Sequence, residues 1–326
     1  MPTTAKVICD STSENGVRLT TLVLEYPRII HSEFMTHRMF SRNASSSRAI
    51  PVEKQIERVE NDPFVPTYWG ANQKGMQAVK QCDNKIIITE ASSDVNWEDY
   101  EYTREEYWYQ ACDAALTHAE NFLKAGYHKQ LVNRLLEPFS HIQVVVTATE
   151  WEGFFAQRLH PAAQPEIQEL ARVMKEAMDS STSDKLNPGE WHLPFTEVED
   201  IRSIYTLFKV ETSQDLINIQ TQDILRKISV ARCARVSYGL NDRGWGDIEK
   251  DLALYDMLLA QWHFSPFEHQ ATPMTNSNAF DRAPSYSPME VLRQDTGTTH
   301  MDLEGDLWSG NFKSWVQNRQ LIQQNA

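Results

Sequence analysis

The chain has 326 residues, 41% hydrophobic and 23% charged, which is enough for a sizeable core in one large domain or two modest ones. Its net charge of −14, with no run of lysine or arginine longer than two, argues against duplex DNA as a partner, although a few converging arginines would still serve a small anion. The sequence shows neither a basic-then-apolar leader nor eighteen consecutive apolar residues, so no membrane span is read and cytoplasmic residence is expected.

In chain order, RLTTLVLE (18–25) is rich in β-branched and leucine residues and predicts a buried strand ended by Pro27. Residues 28–40 are expected to continue as a helix, SRNASSSR (41–48) as a loop, and PVEKQIERVEN as a charged helix started by Pro51. Thr103 and Glu106 have capping-box spacing before a long helix that stops at Gly126. A short helix over HKQLVNRLLE precedes Pro138, another spans Glu150 to Leu159, and Pro165 fits the first turn of PEIQELARVMKEAM. The run DSSTSDKLNPGEW from Asp179 reads as loop. Helical spacing returns over Gln222–Val236 and Ile248–Trp262, with a glycine-containing turn between. Residues 272–306 should be largely irregular, and GNFKSWVQNRQ is expected to form a final helix. The fold class read from these elements is α+β: helices around a modest sheet, one domain over 1–326, with irregular insertions near 62–100, 179–200 and 272–306.

Cys9, Cys82, Cys112 and Cys233 are widely spaced and lack a CxxC pairing, so they are expected to be reduced and mostly buried. Three segments carry more specific chemistry. In THRMFSRNASSSR (36–48), serine hydroxyls, loop amides and arginines suit phosphate oxygens, and the same composition also makes an ordinary solvated loop. In HFSPFEH (263–269), Ser265, Pro266 and Glu268 have N-cap, N1 and N3 spacing, which predicts a capping box. Its two histidines stand six apart, unlike a HExxH pair, so no metal site is assigned. Arg158 ends an aromatic helix and Arg134 lies in NRLLEPF, where an arginine ordinarily caps carbonyls or pairs with a carboxylate.

Together with ARVSYG (234–239), these segments resemble the signatures of the flavin-dependent thymidylate synthases: an RHR triplet with a serine loop ending in SxR, an HxSPFEH-type segment, an ARVSYG-type segment, an arginine before a proline, and a late arginine followed by AQxEI. In that family the segments like ARVSYG and HFSPFEH come first, whereas here they come last, as in a circular permutation. The resemblance implies flavin contacts at Thr36, His37, Arg38, Ser237, His263, Ser265 and Glu268. It implies nucleotide contacts at Ser46, Ser47, Arg48 and Arg134, with Glu33 near the base and Arg158 polarising the uracil ring. Thr36 replaces the first arginine of the triplet, Glu33 a common glutamine and Ala44 a common glutamate. Thr147, Thr149 and Gly153 stand near positions where the family has asparagines and an arginine for flavin.

The activity so implied is transfer of a one-carbon unit from methylenetetrahydrofolate to C5 of dUMP, with FAD as cofactor, NADPH as reductant and a homotetramer with shared sites. No cysteine sits in the proline-cysteine-histidine context of the folate-only, thiolate-dependent synthases. Within the class, a hydroxymethylating enzyme or one acting on dCMP is the main alternative: Glu33 is an acceptor that suits a cytosine amine, while Arg158 suits an ionising uracil. A non-catalytic nucleotide-binding derivative and a metal-dependent hydrolase using His263, Glu268 and His269 are the other classes.

Overall fold

Two β-branched stretches at the N-terminus pair antiparallel from Thr4↔Glu25 to Thr12↔Arg18, forming β1 (Thr4–Ser13) and β2 (Arg18–Pro27), with Gly16 at φ +85° in the turn between them. The computed structural model describes residues 3–91, 97–208, 214–238, 246–281, 290 and 296–324. The helix expected over 28–40 is shorter. A 3-10 turn leads into α1 (His31–Phe34), which ends because Nη1 of Arg42 donates to the carbonyls of Phe34, Met35 and His37. The expected loop at 41–44 is instead the edge strand β3 (Ser41–Ala44). Its buried polar side chains find partners far along the chain: Ser41 Oγ accepts from Gln317 Nε2 and Asn43 Nδ2 donates to the Cys233 carbonyl, while Asn43 Oδ1 has no hydrogen-bond partner among the described residues.

After α2 (Val52–Asn61), the stretch expected to be irregular ends in an antiparallel hairpin of β4 (Ile86–Ala91) and β5 (Trp97–Tyr102). The capping box at Thr103 and Glu106 forms and opens α3 (Arg104–Lys124), with Gly126 at φ +84° just beyond its end. Next come α4 (Lys129–Val132), which passes into a 3-10 helix over Asn133–Phe139 that contains Pro138, then β6 (His141–Ala148), α5 (Glu152–Arg158) and α6 (Pro165–Asp179), the last with proline in its first turn. Part of the expected loop after Asp179 is β7 (Asp184–Leu186), parallel to β1. The helices α7 (Val198–Phe208), α8 (Gln214–Arg235) and α9 (Ile248–Ala260) follow; of the glycine-containing turn between the last two, residues 239–245, with Gly239, lie outside the described residues, and Gly246 stands at φ +89°.

The expected capping box in HFSPFEH does not form. Ser265–Glu268 is a single 3-10 turn without a side-chain cap, because the Glu268 carboxylate pairs with Arg319 instead. After β8 (Ala271–Pro273) the described part of 272–306 is mostly irregular apart from a 3-10 turn over Ala279–Asp281 and β9 (His300–Met301), and β10 (Leu307–Ser309) follows. The final segment is mostly not helical: β11 (Phe312–Lys313) and β12 (Trp315–Gln317) lie within GNFKSWVQNRQ, and α10 (Asn318–Gln324) takes in only its last three residues. Gly310 at φ +60° and Ser314 at φ +62° break any earlier helix, while Phe312 and Trp315 are fully buried.

The main sheet has the order β3-β6-β2-β1-β7 and both faces are covered. One face is apolar: Leu22, Leu24 and Tyr26 with Val144 and Val146 pack against Phe34, Phe154, Leu170 and Met174. The other face carries a buried polar chain. Ser11 Oγ meets His192 Nδ1 at 2.8 Å, His192 Nε2 meets Thr21 Oγ1 at 2.8 Å, Thr21 meets Thr147 at 2.7 Å, and Thr147 meets His269 Nδ1 at 2.8 Å. Beside it, Leu19 shares a cluster with Ala271, Phe312 and Trp315, so the start of β2 lies against the segment that follows His269. The helices α7, α8 and α9 are joined by a buried ionic network in which Arg232 binds Asp200 at 2.6 Å and Asp251 at 3.0 Å, and Arg235 binds Asp251 at 2.8 Å. No helix among the described residues is long and apolar enough to cross a membrane.

Candidate functional site

The last residue of α5 meets the turn after α1. Arg158 donates from Nε to Nε2 of His37 at 3.0 Å and from Nη1 to Oε2 of Glu33 at 3.2 Å. The His37 ring packs edge-on to Phe154, with ring centroids 4.8 Å apart. Burial first, then the charges of Arg158 and Arg42, push His37 down to about 4, so the ring is neutral and accepts at Nε2. Arg158 is 19% exposed, and its Nη2 has no partner among the described residues. Thr36 and Arg38 are exposed next to this trio, and the Thr36 hydroxyl donates to the Glu33 carbonyl.

A second group forms around the serine loop. The Ser46 amide donates to the Ser237 carbonyl at 3.0 Å, tying the loop to the ARVSY segment although the two are far apart in sequence. Asn133 fixes the loop from its other side, donating from Nδ2 to the carbonyls of Ser47 at 2.7 Å and Ile50 at 2.9 Å. Arg134 and Arg48 therefore flank one clamped junction. The Arg48 side chain is exposed, while Arg134 pairs with Glu137 at 2.9 Å, a carboxylate that Arg28 also binds. Asn133 was not singled out from the sequence, although its position beside the arginine that precedes Pro138 was a usable signal.

Between β3 and the end of α9 lies a cleft of about 400 Å³ that His31, Arg42, Ser237, His263 and Ser265 line, with Met35, Met257 and Leu258 as apolar wall. The structure thus brings Ser237, His263 and Ser265 together at one opening. His37 and Arg38 do not line it; within one chain they open beside Arg158 instead, and only the His37 carbonyl, bound by Arg42, reaches toward the cleft's side. Glu268 is turned to the C-terminal segment: its carboxylate meets Arg319 and its carbonyl accepts from Gln317 Nε2 at 3.1 Å. That Gln317 nitrogen also donates to Ser41 Oγ at 3.2 Å and to Asn311 Oδ1 at 3.0 Å, clasping β3 to the SPFE turn. Arg42 was read only as one of the arginines of the serine loop, and His31 and Gln317 escaped notice because nothing local distinguishes them.

Thr147 is committed to the buried polar chain, and Thr149 Oγ1 accepts from the Lys313 amide at 3.1 Å. His263 faces the cleft, whereas His269 is fully buried against Thr147, so the two histidines point to different places. All four cysteines are free, with Cys112 and Cys233 buried and Cys9 and Cys82 half-buried. Burial pushes the Cys9 thiol up to about 12 and Cys112 up to about 11, and it raises Cys233 as well.

These features define an α+β protein with an arginine, a neutral histidine and a glutamate at a helix end, a clamped serine loop, and a cleft between β3 and the end of α9. The model of the Thy1 family, thymidylate synthase complementing protein, matches residues 15–181, just over half of the chain, and the chain belongs to that family. The match takes in Glu33 to Arg48, Arg134 and Arg158 and stops short of Ser237 and the SPFE turn. Among solved structures, the UMP/dUMP methylase PolB from Streptomyces cacaoi bound with 5-Br dUMP is 15% identical with a TM-score of 0.34, covering 49% of this chain and 66% of that one. The same protein bound with 5-Br UMP is 16% identical at a TM-score of 0.39, covering 54% and 88%. Thymidylate synthase ThyX from Helicobacter pylori with FAD and dUMP is 12% identical at 0.34, covering 49% and 67%. The chain thus spans about two thirds of the length of two of these structures. No curated protein matches the sequence.

Proposed function

We propose that this protein transfers a one-carbon unit from methylenetetrahydrofolate to C5 of dUMP, using FAD and NADPH. The observation that carries the reading is Arg158, held by Glu33 and His37 with an outer guanidinium nitrogen left to donate. A guanidinium so placed stabilises negative charge on a uracil N3 and O2. Arg48, Arg134 and the serine-loop hydroxyls of Ser46 and Ser47 would hold the phosphate. One Glu33 oxygen is already taken by Arg158, which weakens it as an acceptor for a cytosine amine and favours dUMP over dCMP.

The residues of the cleft suit a flavin: donors at Ser237, Ser265, His263 and Arg42 stand beside an apolar wall that would take a flat ring. Bound there, FAD supplies the reducing equivalents that NADPH provides. The chain's own part is positioning and charge, and it needs no thiolate, in keeping with the raised thiols of Cys9, Cys112 and Cys233. In a homotetramer, Thr36, His37 and Arg38 of one subunit would complete the cleft of another.

Mass spectrometry of the nucleotide after incubation with FAD, NADPH and methylenetetrahydrofolate, with dUMP and dCMP in separate reactions, tests the proposal. A methylated dUMP is expected. A hydroxymethylated product or a modified dCMP replaces the reaction assigned, and unchanged nucleotide that nonetheless binds leaves a binding protein.

A further inference from the structure

The segment 262–266 is a partition between two clefts. His263 and Ser265 face the one already described, while Trp262 and Phe264 line a second, of about 570 Å³, bounded by Leu259 on α9 and by Leu321 and Ile322 on α10. Its walls are apolar, with two polar groups among them. Asn318 is 1% exposed, and among the described residues neither its Oδ1 nor its Nδ2 has a hydrogen-bond partner. Arg226 lines the same cleft; its Nη2 pairs with Asp223, and its Nε is buried with no hydrogen-bond partner among the described residues. Buried polar groups are almost always paired, and an apolar cleft of this size with a few unserved polar atoms has the make-up of a small-molecule site.

Trp262 adds an independent observation. It follows the C-cap of α9 with φ +59°, in the left-handed position that glycine normally fills, and it is 70% exposed. An L side chain is strained there, and the strain holds an indole at the mouth of the cleft.

We propose that this second cleft binds a planar heterocycle with an amide or lactam edge, the edge pairing with the Asn318 amide, an acceptor meeting Arg226 Nε, and the ring lying against Trp262 and Phe264. An amide side chain offers a donor and an acceptor side by side, and a ligand edge with a carbonyl next to an N–H complements both at once. The lactam of a pteridine and the carboxamide of a nicotinamide share that pattern. The inference rests on the proposed function only for the choice of these two probes.

The test is calorimetric titration of the full-length protein with folic acid and, separately, NADP⁺, with dUMP titrated in parallel. One of the two probes should bind, and Asn318→Ala should weaken it at least about tenfold, as for a lost buried hydrogen bond. Trp262→Gly guards against misfolding: it relieves the backbone and should keep or raise the melting temperature while also weakening the probe. Affinity for dUMP should not change in either variant. The inference is overturned if neither probe binds, if both variants bind as the parent does, or if dUMP affinity falls in step. Turnover of dUMP is read separately, so a protein that binds a probe through Asn318 but leaves dUMP unmodified loses the proposed function and keeps this site.

Discussion

Arg158 and His37 lie 121 residues apart and meet through a 3.0 Å hydrogen bond from Nε to Nε2. Because the ring is neutral, this bond does not neutralise the arginine, whose charge is shared with the Glu33 carboxylate on Nη1. Arg158→Ala is expected to lower turnover by about a hundredfold or more, since it removes charge stabilisation in the transition state. Its partly exposed pair with Glu33 contributes only about 1 kcal/mol, so the melting temperature should move little. Steady-state kinetics and a thermal melt check both halves, and near-normal turnover removes Arg158 from the mechanism. NMR titration of His37 in the same variant should show its pKa rising from about 4, because a neighbouring cation is gone.

Arg48 and Arg134 should act on binding. Replacing either with alanine is expected to weaken dUMP binding by about 1.5–3 kcal/mol, the range for a hydrogen bond to a charged group. Arg134 already spends one nitrogen on Glu137, so the effect at Arg48 should be the larger. Unaltered dUMP titrations in both variants would place the phosphate elsewhere.

Acid should destabilise the fold through its buried histidines. Burial lowers His192 and His269 to about 3 and His31 and His37 to about 4, against an ordinary value of 6.5. Between these limits the unfolded chain binds protons that the folded one refuses, so stability falls as pH drops below about 6.5 and is insensitive to these groups above about 7. His269→Gln, which can keep the bond to Thr147 without titrating, should flatten the slope of melting temperature against pH. An unchanged slope would show that His269 contributes little to it.

The ionic network of Arg232, Asp200 and Asp251 should be sensitive to breakage. Asp251 is fully buried and serves both Arg232 and Arg235, so Asp251→Ala removes the carboxylate the two cations share, leaves Arg232 its pair with Asp200, and is expected to cost about 3 kcal/mol in denaturant unfolding, the lower end for a broken buried pair. A loss below about 1 kcal/mol would mean that water reaches the arginines on opening.

What could be read from the sequence was local. The capping box of Thr103 and Glu106, the proline at the start of α6 and the β-branched run of β2 depend on neighbours within a few residues, and each element formed. β6 and its IQVVV core were legible in principle, as a β-branched apolar run, but were not read as a strand. β3 was not legible: Ser41 and Asn43 look like loop residues until Gln317 and the Cys233 carbonyl bond to them. The SPFE turn failed as a capping box for the same reason, since Glu268 finds Arg319 rather than a backbone amide. The resemblance named Glu33, His37 and Arg158 singly, and only the fold shows that they touch.

Leu19 and Ala271 stand at opposite ends of the chain and share one apolar cluster under Trp315. In polymer terms, the order in which segments are strung together decides only which loops must close, and each doubling of a loop adds just about 0.6 kcal/mol. Burying one side chain such as Phe312 in that cluster contributes about 1.5–3 kcal/mol, several times as much. The ARVSY and SPFE segments are therefore held to the rest of the fold by what they touch, and their place in the reading order is a nearly free variable of the sequence.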